Sequence, residues 1–335
     1  MNKKLIAIAV AAAFAAPLAA QAETTIFGKV HMNAGTVEVT SGGTTTTDNF
    51  QVNSHASRLG FKGSHDLDGG MKANYHLEYG VNQENSPGFT ARNQWIGLGG
   101  NWGEFRIGRH DTPLKMSQGK FDQFGDTFGD FIGPNSDFRM IQGDLRIKDA
   151  IAYIGKFGGL TIAAAVQPGE GDGKDDGDGL KGDGIADTTS VALMYSAGPL
   201  FVSVAQDSYD TTEDAASYKT DSLMRATMTY KMGTMQVGLV YESGGAGGND
   251  KDKDIMGLSF GMGVGASNKV KLQYLTGEDA QTGTSQVEQT QTSVGFDHKF
   301  NKQTTGYVMY TAADKDQGAT SNEFTHIGVG MIVNF

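Results

Sequence analysis

MKANYHLEY, residues 71–79, sets Met71, Ala73, Tyr75, Leu77 and Tyr79 against Lys72, Asn74, His76 and Glu78. Alternation with period two puts the first group on one face of a strand and the second on the other. The pattern returns along the chain. LTIAAAVQ (160–167) opposes Leu160, Ile162, Ala164 and Val166 to Thr161, Ala163, Ala165 and Gln167. MQVGLVYE (235–242) opposes Met235, Val237, Leu239 and Tyr241 to Gln236, Gly238, Val240 and Glu242, and KVKLQY (269–274) opposes Val270, Leu272 and Tyr274 to Lys269, Lys271 and Gln273. One face of each segment suits lipid and the other suits water. A charge facing the middle of a bilayer costs a barrel strand roughly 2 to 4 kcal/mol, so Lys72, Glu78 and Lys271 are expected on an inner, wet face.

Composition leans the same way. The 335 residues include 48 Gly, 18 Phe and 11 Tyr but only 6 Pro, and no Cys. A lack of Cys fits export through an oxidising compartment without requiring it. The N-terminus MNKKLIAIAVAAAFAAPLAAQA carries Lys3 and Lys4, an apolar stretch from Leu5 to Ala20 and the small-x-small ending Ala20-Gln21-Ala22. That is the pattern of a secretory signal peptide over residues 1–22, too short and Ala-rich for a membrane anchor. Formal net charge is −11, from 27 basic and 38 acidic residues; loss of Lys3 and Lys4 leaves 25 against 38, or −13. So acidic a chain excludes nucleic acid as a partner. No later stretch approaches the roughly 18 apolar residues of a membrane-spanning helix, which leaves a soluble protein or a β-barrel.

The connections favour the barrel. Alternation and turn residues mark about sixteen strands. Tight turns fall at 66–70, 101–103, 157–159, 197–199, 232–234, 264–268 and 301–302. Longer polar segments fall at 38–51, 82–90, 111–145, 168–187, 209–218, 243–253, 278–288 and 314–323. The two kinds alternate strictly. An even-stranded meander with long loops at one end and tight turns at the other is the layout of a bacterial transmembrane barrel, and a propeller or sandwich has no need of it. The fold expected for residues 23–335 is all-β: a 16-stranded antiparallel transmembrane β-barrel. FTHIGVGMIVNF (324–335) then reads as the last strand, closing against the first near TTIFGKVHM. Phe324, Ile327, Val329, Met331, Val333 and Phe335 mostly alternate there with His326, Gly328, Gly330 and Asn334, and Ile332 breaks the pattern. Phe335 is expected at the inner membrane–water boundary, as the barrel-closing residue, and it resembles the terminal aromatic read by the barrel-insertion machinery of Gram-negative bacteria.

SRLGFKGSHDLDGGMKANYHLEYG (57–80), QWIGLGGNWGEFRIGRHDTPLK (94–115) and RIKDAIAYIGKFGGLTIAAAVQ (146–167) resemble the Gram-negative general porins of neisserial and related proteobacterial type. The resemblance implies a homotrimeric outer-membrane channel whose third long loop, about 111–145, folds inward and faces a ladder of basic wall residues. Carried onto this chain, it makes Asp122, Asp126, Asp130 and Asp137 the acidic side. Arg58, Lys62, Arg92, Arg106, Arg109, Arg146 and Lys148 become the basic side. Arg58 and Lys62 share the inward parity of their strand, as do Arg106, Arg146 and Lys148 in theirs. Strict parity sets Arg109 with Phe105 and Ile107 on the outer face unless a bulge at Gly108 turns it inward. The FDQFGDTFGDF portion of the loop offers a packing face and a carboxylate face.

The expected function is passive diffusion of small polar solutes and ions through a water-filled outer-membrane channel, with no cofactor. Six carboxylates against three cations on the loop suggest a mild cation preference, which the wall arginines oppose. Outer-membrane lipid and lipopolysaccharide are the expected surroundings. Within QPGEGDGKDDGDGLKGDGIAD, Asp172, Asp176, Asp178 and Asp183 echo a calcium loop, but Lys174 replaces a ligand and no helices flank it, so a solvated acidic loop is the better reading. The alternatives are a substrate-specific channel, a barrel enzyme and an adhesin or phage receptor. No serine lies in a nucleophile motif such as G-x-S-x-G, and the histidines are scattered. A sugar channel would advertise more aromatics than Trp95 and Trp102, which read as boundary anchors near a tight turn.

Overall fold

The computed structural model describes residues 24–82, 88–169, 184–209, 222–246, 249–279 and 287–335. The expected signal peptide (1–22) and Asp172, Asp176, Asp178 and Asp183 lie outside the described residues. Seventeen strand segments form one antiparallel sheet: β1 Thr25–Ser41, β2 Thr44–Ser54, β3 Arg58–Asp66, β4 Lys72–Asn82, β5 Gly88–Gly100, β6 Gly103–Asp111, β7 Arg146–Phe157, β8 Leu160–Gln167, β9 Thr188–Ala197, β10 Leu200–Tyr209, β11 Ser222–Met232, β12 Met235–Ala246, β13 Asn249–Val264, β14 Asn268–Asp279, β15 Val287–Lys299, β16 Thr304–Gln317 and β17 Thr320–Asn334. Both β2 and β3 pair with β1, β2 along Met32–Ser41 and β3 along Thr25–Lys29. They are one stave interrupted at 55–57, where Ala56 has φ 46°. The seventeen segments therefore make sixteen staves. β17 pairs with β1 from Lys29↔Asn334 to Ser41↔Asn322, and Gly28 and Phe335 exchange backbone hydrogen bonds of 2.9 and 3.1 Å. Among the described residues closure leaves no strand without neighbours on both sides, which is what a sheet surrounded by hydrocarbon requires.

Burial follows the alternation. Leu77, Leu239, Leu272 and Tyr274 stand outward and exposed, joined by Ile96, Ile107, Val191, Val204, Met256, Ile327, Val329 and Met331. Their strand neighbours Glu78, Gln167, Glu242, Lys271 and Gln273 are buried on the opposite face. An apolar belt of that extent would drive aggregation in water and is the natural exterior of a barrel in lipid. Exposed aromatics gather near the tight turns, among them Phe105, Phe157, Tyr195, Tyr230, Phe296, Phe300 and Phe335. They form the girdle expected at a membrane–water boundary. Phe324 departs from the expected grouping: by parity it belongs with His326, and it is buried on the inner face.

The seven tight turns occur where the sequence places them, from 67–71 to 300–303. At the other end the polar segments 38–51 and 314–323 are mostly strand, leaving only Gly42–Gly43 and Gly318–Ala319 as turns. Strands that emerge into water are polar on both faces, so they keep their hydrogen-bond ladder while losing the apolar alternation that marks a strand in the sequence.

Candidate permeation site

The segment 112–145 leaves β6 through α1, a single helical turn at Pro113–Met116. The Thr112 hydroxyl accepts the Lys115 N–H at 3.1 Å, and Pro113 takes the first helical position, where its missing N–H costs nothing. From there the segment runs across the inner face of β10 to β17 and reaches β1. Phe121 and Phe131, with Met140 and Ile141, pack on Val240, Ile255 and Leu275. Phe124 packs on Tyr307 and Met309, and Phe138 on Val37, Ala313 and Phe324. Each buried Phe contributes roughly 1.5–3 kcal/mol. Room for two of these rings depends on missing side chains: a Cβ at Gly257 would lie 2.7 Å from the Phe121 ring, and one at Gly295 would lie 2.8 Å from Phe124.

Polar contacts fix what the aromatics seat. Gln273 Nε2 and Gln291 Nε2 each donate to the Gly129 carbonyl at 3.1 Å, while Gln273 Oε1 accepts the Gln123 N–H at 3.0 Å. The root of the segment is held by a fully buried ion pair. Arg225 donates to Glu242 through Nε (2.9 Å) and Nη2 (2.5 Å), to the Leu114 carbonyl (3.1 Å) and to the Gly143 carbonyl (3.0 Å). Glu242 Oε1 in turn accepts the Gln142 N–H at 2.8 Å. One pair thus clasps both the start and the end of the segment.

The acidic and basic residues marked from the sequence meet only in part. Asp126 pairs with Lys29 Nζ at 2.5 Å and with Arg58, and Arg92 pairs with Glu78. Burial pushes the Asp126 carboxyl up, but Lys29 and Arg58 outweigh that and hold it below the usual carboxylate range. Asp122 and Asp130 do something else. Asp122 Oδ1 accepts the Phe124 N–H at 2.8 Å, while Asp130 accepts the Ile132 N–H at 2.9 Å and the Asp126 N–H at 2.7 Å. They brace the backbone of the segment. Burial pushes Asp122 up to about 6, and burial together with the charge of Asp122 pushes Asp130 well above the carboxylate range. Asp137 is exposed, and Lys315 reaches its carbonyl, not its carboxylate, at 3.1 Å.

On the wall, Lys62 is exposed four residues from Arg58. Arg106 bonds Glu104 at 2.8 Å and lies 3.9 Å over the Trp95 ring. Arg146 bonds Asp111 at 2.9 Å where the segment rejoins the sheet. Arg109 pairs across the sheet with Gln94 and keeps the parity of the exposed Phe105 and Ile107. The irregularity between β6 and β7 matches Gly108 with Ala150 and His110 with Ile147, so the extra residue lies in β7 around Lys148 and Asp149, where Asp149 has φ 54°. A bulge at Gly108 does not redirect Arg109; His110 takes the inner position and is buried. The β7 bulge also resets the parity that assigned Lys148 inward, for Ile147 packs with Ala150, Ala152 and Ala165. Trp95 corrects another reading. It lies on the inner face, stacked on His76 with centroids 5.6 Å apart, while Trp102 alone sits at the tight turn, against Phe105.

Lys29 and Arg225 are absent from the residues singled out in the sequence, and Glu242 appears there only as a wet-face position of its strand. Strand parity was enough to find them: Arg225 alternates with the outward Met224, and a charge among such neighbours must point inward.

The sequence pattern of the Gram-negative porin family matches residues 7–318. The chain is 29% identical to outer membrane porin protein 32 of Delftia acidovorans, over 92% of this chain and 88% of that one. It is 25% identical to the major outer membrane protein P.IB of Neisseria meningitidis serogroup B, over 90% of this chain and 100% of the relative. The fold superposes on a solved anion-selective porin from Comamonas acidovorans with TM-score 0.75 at 23% identity, covering 94% of this chain and 100% of that one. A closed barrel with an apolar exterior and a charged inner wall, carrying the family pattern over most of its length, belongs to the Gram-negative porins.

Proposed function

We propose that the barrel is a water-filled diffusion channel for small hydrophilic solutes and ions, narrowed by the 112–145 segment lying in its lumen. As a Gram-negative porin it works in the outer membrane, and its homologues are channels rather than enzymes. No chemistry is performed on the solute. A polar solute at the narrowing exchanges water for Lys29, Arg58, Arg92, Asp126 and Glu78, whereas an apolar one gives up ordered water without replacement.

The observation that carries the ion preference is the charge balance at that point. Lys29, Arg58 and Arg92 outnumber Asp126 and Glu78, while the other two carboxyls near the tip of the segment, Asp122 and Asp130, are taken up by the segment's own backbone N–H groups, with Asp130 held well above the usual carboxylate range. Counting residues along the segment favours cations; counting the groups that meet at the narrowing favours anions, and we adopt the second reading. The acidic rim works against it. Assembly as a homotrimer is the proposed state, supported by a solved outer membrane protein of Vibrio cholerae of the same fold, described as a trimer form. Insertion into lipid beside lipopolysaccharide, with Phe335 read by the barrel-insertion machinery, completes the proposal. In a planar bilayer under a potassium chloride gradient the protein should give stepwise conductance with a reversal potential of anionic sign. Saturable current blocked by one solute would favour a specific channel, and no current at all would overturn the proposal.

A further inference from the structure

The inner wall carries a second constellation, away from the seated segment. Lys62 of β3 lies opposite His76 of β4, which lies opposite Trp95 of β5. At about 3.3 Å per residue this row is ~13 Å from Arg58, toward the tight-turn end. The His76 and Trp95 rings are nearly parallel, 8° apart, and the Arg106 guanidinium covers the indole at 3.9 Å. Both terminal nitrogens of that guanidinium are held, Nη1 with His110 Nε2 at 2.7 Å and Nη2 with Glu104 at 2.8 Å, while Nε is buried without a partner among the described residues. A guanidinium laid flat and tied at its rim offers its free face for stacking. Lys62, with its ammonium 5.2 Å over the Phe27 ring, is exposed and has no carboxylate within ion-pair distance among the described residues. Lys62 and Arg106 against Glu104 leave one positive charge. Lys62, His76, Trp95 and Arg106 line a single recess of about 460 Å³, the size of a small-molecule site.

We propose that this recess is a binding subsite for planar aromatic monocarboxylates, reached from the tight-turn side of the narrowing. The aromatic ring stacks on the Arg106–Trp95–His76 pile, and the carboxylate meets the Lys62 ammonium. A cation is repelled by both basic groups. A sugar would need the open face of an aromatic ring, and Arg106 already covers Trp95. The inference rests on the channel reading for its physiological sense, but binding is measurable without conduction.

The chain has two tryptophans, so Trp102→Phe leaves Trp95 as the only indole. Emission of this variant in detergent is titrated with benzoate, alone and in competition with cyclohexanecarboxylate, which has the same charge and no π face. Saturable quenching is expected, with the aliphatic acid competing about fivefold less well or worse. Adding Lys62→Gln should weaken benzoate about fivefold, and Lys62→Arg should restore it. Equal competition by the two acids, quenching that rises linearly without saturation, or a Lys62→Gln titration that matches the parent would overturn the proposal. Intact saturable quenching in a protein that passes no ion current would sink the channel reading and leave the subsite standing. Normal current without saturable quenching would do the reverse.

Discussion

Arg225→Met tests how residues 112–145 are held against the inner wall. Arg225 is fully buried, and its guanidinium serves Glu242 and the carbonyls of Leu114 and Gly143 together. Removing it strands a buried carboxylate and two carbonyl oxygens. Breaking a buried pair from one side costs about 3–5 kcal/mol. The barrel's backbone ladder does not run through this contact, so the cost falls on the seating of residues 112–145. At 1.36 kcal/mol per decade, a loss of about 3 kcal/mol raises the unseated population roughly 150-fold. Amide hydrogen exchange reads this directly, and exchange at Phe121, Met140 and Gly143 should speed up by about two orders of magnitude. If the segment narrows the lumen as proposed, single-channel traces should grow noisier as it unseats. Arg225→Met combined with Glu242→Met replaces the pair by apolar volume and should recover most of the protection, because neither charge is left alone. Exchange in Arg225→Met within about threefold of the parent would refute the clasp.

Three further outcomes follow from the same geometry. Asp122 has its carboxyl raised to about 6, so its contribution to seating is complete below the ordinary carboxylate range and is lost as pH rises through about 6. Exchange protection of the segment should therefore fall between about pH 4 and pH 6, the reversal potential should move toward cations as Asp122 ionises around pH 6, and Asp122→Asn should flatten both trends. Asp126→Asn leaves Lys29 and Arg58 without their shared carboxylate. Its reversal potential should move further toward anions, while the half-exposed position limits the stability loss to about 1 kcal/mol. Val329→Arg places a charge on the exposed apolar face of β17. Refolding into lipid vesicles should register a loss of roughly 2–4 kcal/mol, and no loss would mean that this face does not meet hydrocarbon.

The barrel was legible because its rule is local. Period two at Met71–Tyr79 or Met235–Glu242 needs only neighbouring residues, and the tight turns announce themselves with Gly, Asn and Pro. What the sequence hid is what depends on distant partners. Asp122, Asp126 and Asp130 are one residue type at regular spacing in one segment, yet one meets the wall cations and two cap their own backbone. Only the path of the segment across β10 to β17 separates them. Lys148 and Arg109 turned on the position of a single bulge, which shifts parity with no signature beyond an Asp at positive φ. Trp95 was readable in principle, since it alternates with the outward Ile96 and Leu98, and parity decides its face whatever its distance from a turn.

One surface of each stave faces water and the other faces lipid. The chain has no cysteine, so single cysteines can be introduced along β3 and treated with a charged, membrane-impermeant thiol reagent while current is recorded. Substitutions at Arg58, Lys62 and Ser64 should react and lower the conductance stepwise, while those at Leu59, Phe61 and Gly63 should leave it untouched. Reaction without this alternation, or current indifferent to modification at Arg58 and Lys62, would contradict a hydrated lumen bounded by these strands.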